Sequence, residues 1–82
     1  MNFTRAAELT PEVRASIADA FEYHAWDDAK VDKGAVVRTA LIDAVMVIVA
    51  NVPPSPDRSA AIRKLREASM DCNSAITHDG KY

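Results

Sequence analysis

Residues 51–57, which read Asn-Val-Pro-Pro-Ser-Pro-Asp, separate the two longest stretches of the chain that are compatible with a helix. Consecutive prolines cannot continue a helix, because proline lacks the backbone N–H and its ring clashes with the preceding turn. Ser55, Pro56 and Asp57 then form a typical helix start, with an N-cap hydroxyl, a proline at the first position and an acid in the first turn. The segment therefore predicts a sharp turn between two helices.

The stretch before this turn, from about Ala29 to about Ala50, contains no proline and a single glycine, Gly34. Residues 45–49 have strand-like composition, but the helical spacing of the apolar residues before them favours a helix. The main apolar stripe consists of Val37, Leu41, Ala44, Val45, Ile48 and Val52. A second apolar stripe lies beside the main one and consists of Val36, Ala40 and Val47. Together the two stripes form an apolar face that is wider than one partner helix requires.

The stretch after the turn predicts another helix, from about Pro56 to about His78, which Asp79 and Gly80 end. Its apolar stripe consists of Ala61, Leu65, Ala68, Cys72, Ala75 and Ile76. Near the N-terminus, a Thr-Pro-Glu start signal at residues 10–12 predicts a first helix up to about Glu22.

The connection after the first helix predicts that Asp27 or Asp28 caps the second helix. The predicted fold is all-α, a single domain over residues 1–82 with a short N-terminal helix followed by a long antiparallel helical hairpin. Of the 82 residues, 49% are hydrophobic, and most of these are alanine and valine. A few helices of this length cannot bury so much apolar surface in a monomer. We therefore expect assembly as a homo-oligomer.

Composition and charge exclude several classes of function. The chain carries 10 Lys and Arg against 12 Asp and Glu, and this net charge of −2 argues against binding to polymeric nucleic acid. One cysteine and two histidines cannot form a disulfide or a multi-Cys/His zinc pattern, so we predict no metal site. The apolar run at residues 44–50 is far shorter than the ~20 residues that cross a bilayer. Residues 1–8 lack the core of a secretion signal, so we expect a cytoplasmic protein with no membrane partner.

The chain lacks the motifs that position catalytic groups or cofactors, so we predict no enzymatic activity and no cofactor. Two clusters exceed this background. The first is an aromatic cluster, which is either a hydrophobic plug over the hairpin end or a stacking platform for nucleobases; it consists of Phe21, Tyr23, His24 and Trp26. The second is a basic group, which is either a solvated helix face or an anion site near a helix N-terminus; it consists of Arg58, Arg63, Lys64 and Arg66.

Several short motifs occur in an order and at a spacing that are shared with a known family. Phe21-Glu22-Tyr23-His24 is followed after a spacer by Val37-Arg38. The third helix continues with Arg58-Ser59, Lys64-Leu65-x-Glu67-Ala68, Met70-x-x-Asn73-x-Ala75-Ile76 and Gly80. Over about residues 19–80 this pattern resembles the bacteriophage anti-CBASS sponge family, whose hairpin domain also occurs in anti-Thoeris sponges.

The resemblance implies a compact homo-hexamer that binds cyclic oligonucleotide messengers of bacterial immune systems and holds them without cleavage. In the family, the tyrosine of the Tyr-His motif stacks on a base of a cyclic dinucleotide, and a later basic residue contacts phosphate. The matching site here is Tyr23, His24 and Arg38. Some members have a second pocket for cyclic trinucleotides, which implies His78 and Asn73 here. Further candidate phosphate contacts are Arg58 and Lys64.

The chain departs from the family pattern at several positions. The family commonly has prolines after the Tyr-His pair, where this chain has Ala25 and Trp26, and an aromatic residue shortly before the Ile-Arg pair, where Gly34 stands. Asp71 replaces a late tryptophan, and His78 stands where arginine is usual.

Two other functions remain open. The first is a small oligomeric helical transcriptional regulator, although the proline turn separates two long helices rather than a short positioning helix and a recognition helix. The second is an antitoxin-like interaction protein in which the aromatic cluster is part of the core. Substitution of Tyr23 distinguishes the antitoxin-like protein from a sponge, because a core residue supports stability whereas a stacking residue supports ligand affinity.

Overall fold

The computed structural model describes residues 8–82 and contains three α-helices, α1 (Pro11–Phe21), α2 (Asp28–Asn51) and α3 (Pro56–Thr77). These residues form no strand, so the all-α prediction is confirmed for the described range. The predicted helix bounds agree with the observed ones to within one residue. Residues 1–7, and with them the start of the predicted single domain, lie outside the described residues.

The three helices begin at side-chain caps. Thr10, Asp27 and Ser55 each accept a hydrogen bond from the backbone N–H three residues later, at 3.2, 2.9 and 3.1 Å. Each of these bonds satisfies one of the N–H groups that lack a partner within the first helical turn. The sequence predicts that either Asp27 or Asp28 caps α2, and the structure shows that the cap is Asp27.

α2 packs against α3, and the beginning of α2 lies beside the end of α3. There, Lys30 Nζ donates to the carbonyl oxygen of Thr77 at 3.1 Å and to the carboxylate of Asp79 at 3.3 Å. At the other end, Arg58 Nη1 donates to the carbonyl oxygen of Val52, 3.2 Å away. The half-buried apolar residues of α2 include five of the six in the predicted main stripe, namely Val37, Leu41, Ala44, Val45 and Ile48.

A single copy has almost no interior. Within residues 8–82, Gly34 is the one buried residue. In the predicted second stripe, Val36 is 72% exposed and Val47 is 61% exposed. The Cα radius of gyration is 17.3 Å, against about 12 Å for a compact domain of this length. The accessible surface is 6602 Å², against about 4,800 Å² for a compact monomer of this mass.

The C-terminal segment connects α1 to the end of α3. Asp79 and Gly80 have positive φ values of 54° and 74°, which turn the chain back after α3 as the Asp-Gly stop signal predicts. The Tyr82 hydroxyl then lies 3.0 Å from the carbonyl oxygen of Ser16 and 2.7 Å from the Asp19 carboxylate. The position of α1 relative to α3 therefore depends on these terminal contacts.

By length and composition alone, α2 is the one helix of the described residues that is long and apolar enough to cross a membrane, and an 18-residue window within it has a mean hydropathy of 1.7. The sequence argument considered only the uninterrupted apolar run at residues 44–50 and did not anticipate this. A core helix of an assembly has the same composition. Arg38 and Asp43 lie near the middle of α2.

Candidate ligand site

Tyr23 lies in the connection between α1 and α2, and its side chain is 92% exposed. The ring borders a cavity of about 430 Å³. The residues that line the cavity are Glu22, Tyr23, His24, Trp26 and Thr77. An exposed phenol ring at the edge of an open cavity is available to stack on a flat partner.

Trp26 forms a fixed wall of this cavity. Its indole Nε1 donates a hydrogen bond to Thr77 Oγ1 at 2.6 Å, which connects the start of α2 to the end of α3. Its six-membered ring lies directly on Gly34, where a Cβ atom would overlap Cζ3 and lie 2.6 Å from Cη2. The residues of the aromatic cluster therefore differ in position: Trp26 packs between the helices, and Tyr23 projects outward.

His24 and His78 lie side by side, although they are far apart in the sequence and were assigned to two separate sites. Their ring centroids are 5.1 Å apart in an edge-on arrangement. His24 Nε2 lies 2.8 Å from the backbone carbonyl oxygen of Asp19 and 3.4 Å from its carboxylate Oδ1. The rings of Tyr82 and His78 also meet edge-on, with their centroids 5.0 Å apart. The two histidines meet because the end of α3 packs beside the α1–α2 connection.

Asp19 is the charged group at the centre of these contacts. The hydrogen bond from the Tyr82 hydroxyl lowers the pKa of Asp19 below its ordinary value of 3.8, partial burial opposes this, and the Lys81 ammonium adds to the lowering. Lys81 Nζ lies 3.4 Å from Asp19 Oδ2. The carboxylate is therefore held in its ionised form.

Arg38 lines a second cavity, of about 300 Å³ between α2 and α3, together with Arg66. The remaining lining residues are Leu41, Ile42, Val45, Met46, Leu65 and Ser69. Within residues 8–82, neither arginine forms an ion pair. Arg38 and Tyr23 thus do not line the same cavity of one chain. The sequence placed Arg66 in the basic group, but only the packing of α2 on α3 indicates that it accompanies Arg38.

Three other candidate residues have separate positions. Arg58 is half-buried, and its hydrogen bond to Val52 stabilises the turn between α2 and α3. Lys64 and Asn73 are exposed on α3, and neither lines the Tyr23 or the Arg38 cavity.

Comparisons of the chain with protein-family models, with curated proteins and with solved structures found no match. One cavity presents an exposed aromatic ring beside a fixed indole. The other presents two guanidinium groups, which form no ion pair within residues 8–82, beside apolar side chains. These groups can stack on bases and bind phosphate oxygens.

Proposed function

We propose that this protein binds cyclic oligonucleotide second messengers and sequesters them without cleavage, and thereby blocks bacterial anti-phage signalling in the host cytoplasm. The observation that carries the proposal is the 92% exposure of Tyr23 beside the fixed ring of Trp26. An aromatic ring that stacks on a base contributes about 1–3 kcal/mol. A cyclic dinucleotide supplies two such bases on one rigid ring.

Arg38 and Arg66 are the proposed phosphate contacts of the dinucleotide site. Guanidinium groups bind phosphate oxygens in a bidentate manner and keep their charge at every physiological pH. These two have no carboxylate partner within the described residues, so phosphate would not have to displace one. The apolar side chains beside them suit the sugar and base edges of the same ligand.

The proposed assembly is a homo-hexamer built from antiparallel α2–α3 hairpins. Two observations support association, namely the exposed second stripe on α2 and the excess accessible surface of a single copy. We propose that Arg38 of one copy faces Tyr23 of another, because one chain keeps them in different cavities. Burial of Arg38 or Asp43 in lipid would cost about 2.5–3.5 kcal/mol each. We therefore propose that further copies cover α2, rather than a membrane.

A second site for cyclic trinucleotides is proposed at the end of α3, around His78 and Asn73. Arg58 and Lys64 remain proposed as further phosphate contacts. For Arg58, such a contact competes with its hydrogen bond to Val52.

Calorimetry of the full chain with cyclic di- and trinucleotides tests the proposal. Loss of the stacking ring in Tyr23→Ala should weaken dinucleotide binding about five- to 150-fold, which corresponds to about 1–3 kcal/mol. Phe21→Ala is the matched control, because Phe21 is also an exposed aromatic residue, at 78%, but does not line the cavity. Arg66→Ala should weaken binding as well, whereas Arg63→Ala should not, because Arg63 is exposed on the same helix but does not line the arginine cavity.

Bound ligand that is released by heating should be recovered intact. Recovery of a linear product would overturn sequestration. Equal affinities for the wild type, Tyr23→Ala and Arg66→Ala would refute the site. Binding to duplex DNA in place of cyclic nucleotides would favour the transcriptional regulator, and insertion of α2 into lipid vesicles would favour a membrane role.

A further inference from the structure

Asp19, His24 and His78 form a cluster of metal-binding side chains that the sequence did not predict. They come from three parts of the chain, namely α1, the α1–α2 connection and the residue that follows α3. Each offers one ligand atom, and all three atoms lie within 4.8 Å of one another. All three residues are half-buried. We propose that this cluster is a Zn²⁺ site.

The donor set favours zinc over other divalent cations. Two imidazole nitrogens and one carboxylate oxygen match the ligands of zinc sites that have three protein ligands and an open fourth position. Mg²⁺ and Ca²⁺ instead prefer sets made of oxygen atoms alone. Zinc bonds of about 2.0–2.2 Å place tetrahedral donors roughly 3.3 Å apart. The three donors therefore need to approach one another by about 1.5 Å or less, a movement within reach of side-chain rotation.

The surroundings of Asp19 already orient its carboxylate. Tyr82 donates its hydroxyl to Oδ2 at 2.7 Å, which leaves Oδ1 facing His24 Nε2 at 3.4 Å. Zinc binding at Nε2 would replace the 2.8 Å contact between this nitrogen and the carbonyl oxygen of Asp19. The Tyr82 ring also contacts the ring of His78. Hydrogen-bond partners of this kind fix metal ligands in place, and their loss typically lowers metal affinity about 10–100-fold. Tyr82 is thus the positioning residue of the proposed site.

Two lysines near the cluster oppose a divalent cation. Lys81 Nζ lies 3.4 Å from Asp19 Oδ2, but its side chain is 66% exposed and can turn toward solvent. Lys30 lines the same cavity, of about 280 Å³, and is paired with Asp79 at 3.3 Å. Both lysines contact carboxylate oxygens other than Asp19 Oδ1, so neither occupies the position between Oδ1 and the histidines.

The proposal goes beyond the proposed function, because zinc binding here requires no nucleotide and does not use Tyr23, Arg38 or Arg66. It does engage His24, which lines the Tyr23 cavity, and His78, around which the trinucleotide site is proposed. A metal held by all three residues would join α1 to the end of α3. It would therefore reinforce the terminal contacts that now position α1.

Calorimetric titration of the untagged, chelator-treated chain with Zn²⁺ tests the site. We expect one zinc ion per chain, and Co²⁺ should give the intense visible absorption of a tetrahedral site. His24→Ala and His78→Ala should each weaken zinc binding at least about tenfold, and Tyr82→Phe about tenfold, as expected for an outer partner. Asp71→Asn is the control, because Asp71 is an exposed carboxylate on α3 outside the cluster, and the zinc affinity of this variant should equal that of the wild type.

Circular dichroism of each variant establishes that its helices persist. Equal zinc affinity in the wild type and in His78→Ala would overturn the proposal, as would a weak octahedral cobalt spectrum. Calorimetry with cyclic dinucleotides on metal-free His78→Ala separates the two proposals, because this substitution removes a zinc ligand but leaves Tyr23, His24 and Arg66 in place.

Discussion

Gly34→Ala is the substitution that the structure predicts most sharply. Alanine within a helix ordinarily stabilises a protein by about 1 kcal/mol relative to glycine. At this position the added Cβ would overlap Cζ3 of Trp26 and lie 2.6 Å from Cη2. Neither atom belongs to a flexible chain end, because the indole is also held by its hydrogen bond to Thr77. We therefore expect the ring to be displaced and the protein to be destabilised.

The size of this effect follows from three contributions. Overpacking of a filled site costs about 1–3 kcal/mol. Loss of the indole hydrogen bond adds about 0.5–1.5 kcal/mol, and the better helix propensity of alanine offsets about 1 kcal/mol. The net loss in the free energy of unfolding is about 0.5–3.5 kcal/mol, centred near 2. For a domain of this size, 2 kcal/mol lowers Tm by roughly 8–16 °C.

Urea unfolding, followed by the helical circular-dichroism signal, measures this loss at one fixed protomer concentration, since assembly would make stability concentration-dependent. The matched measurement repeats Gly34→Ala in a Trp26→Ala background. With the indole absent, the same substitution should stabilise the protein by up to about 1 kcal/mol. The sign of the effect of Gly34→Ala thus depends on whether Trp26 is present.

A destabilisation of equal size in both backgrounds would refute the reasoning, because the effect would then not arise from the indole. Stabilisation in the wild-type background would refute it too, since it would mean that the Trp26 ring does not lie on Gly34.

Three further substitutions have expected outcomes. Ser55→Ala removes the cap of α3 and should lower the free energy of unfolding by about 1 kcal/mol in urea titrations. Val47→Glu places a charge on the exposed stripe of α2, so light scattering should show a smaller particle while circular dichroism still shows helix. Tyr82→Phe should raise the pKa of Asp19 toward 3.8 in an NMR titration. The lowered pKa of Asp19 stabilises the fold above 3.8, and this stabilisation is lost as pH falls through the folded-state pKa. Tyr82→Phe should therefore reduce stability more at neutral pH than in strong acid, where only the contact of the hydroxyl with the Ser16 carbonyl oxygen is lost.

The local signals in the sequence were sufficient for the helices. Thr10 and Ser55 act as caps because a hydroxyl before a proline needs only the next turn of chain to find its partner. Residues 45–49 are helical despite their strand-like composition, because Val45 and Ile48 continue the half-buried stripe that faces α3. These features depend on spacing within about one helical turn, which the sequence displays directly.

The composition of the sites depends on geometry that the sequence does not display. Arg66 shares a cavity with Arg38 because of the register of α2 on α3. His24 and His78 meet because the end of α3 packs beside the α1–α2 connection, and the Tyr82 contact with α1 supports this arrangement. Neither pairing follows from helical periodicity, since each joins residues on separate elements. The cluster of Asp19, His24 and His78 therefore depends on how the separate elements pack in space.

Trp26 and Gly34 illustrate how two sequence features that look unrelated can have one physical cause. Taken separately, Gly34 weakens a helix and stands where the sponge pattern often has an aromatic residue. Trp26 stands after the Tyr-His pair, where the sponge pattern commonly has prolines. In the structure the indole occupies the volume into which a side chain at position 34 would project. An aromatic ring is thus present at this surface of α2, but it is supplied from the connection rather than from the helix. In this chain the two departures from the sponge pattern therefore meet in one contact. The same ring is fixed by Thr77 at the end of α3, and it forms the wall beside which Tyr23 stands exposed. The contact of Trp26 with Gly34, in which the chain departs from the sponge pattern, therefore also holds the indole wall of the Tyr23 cavity in place.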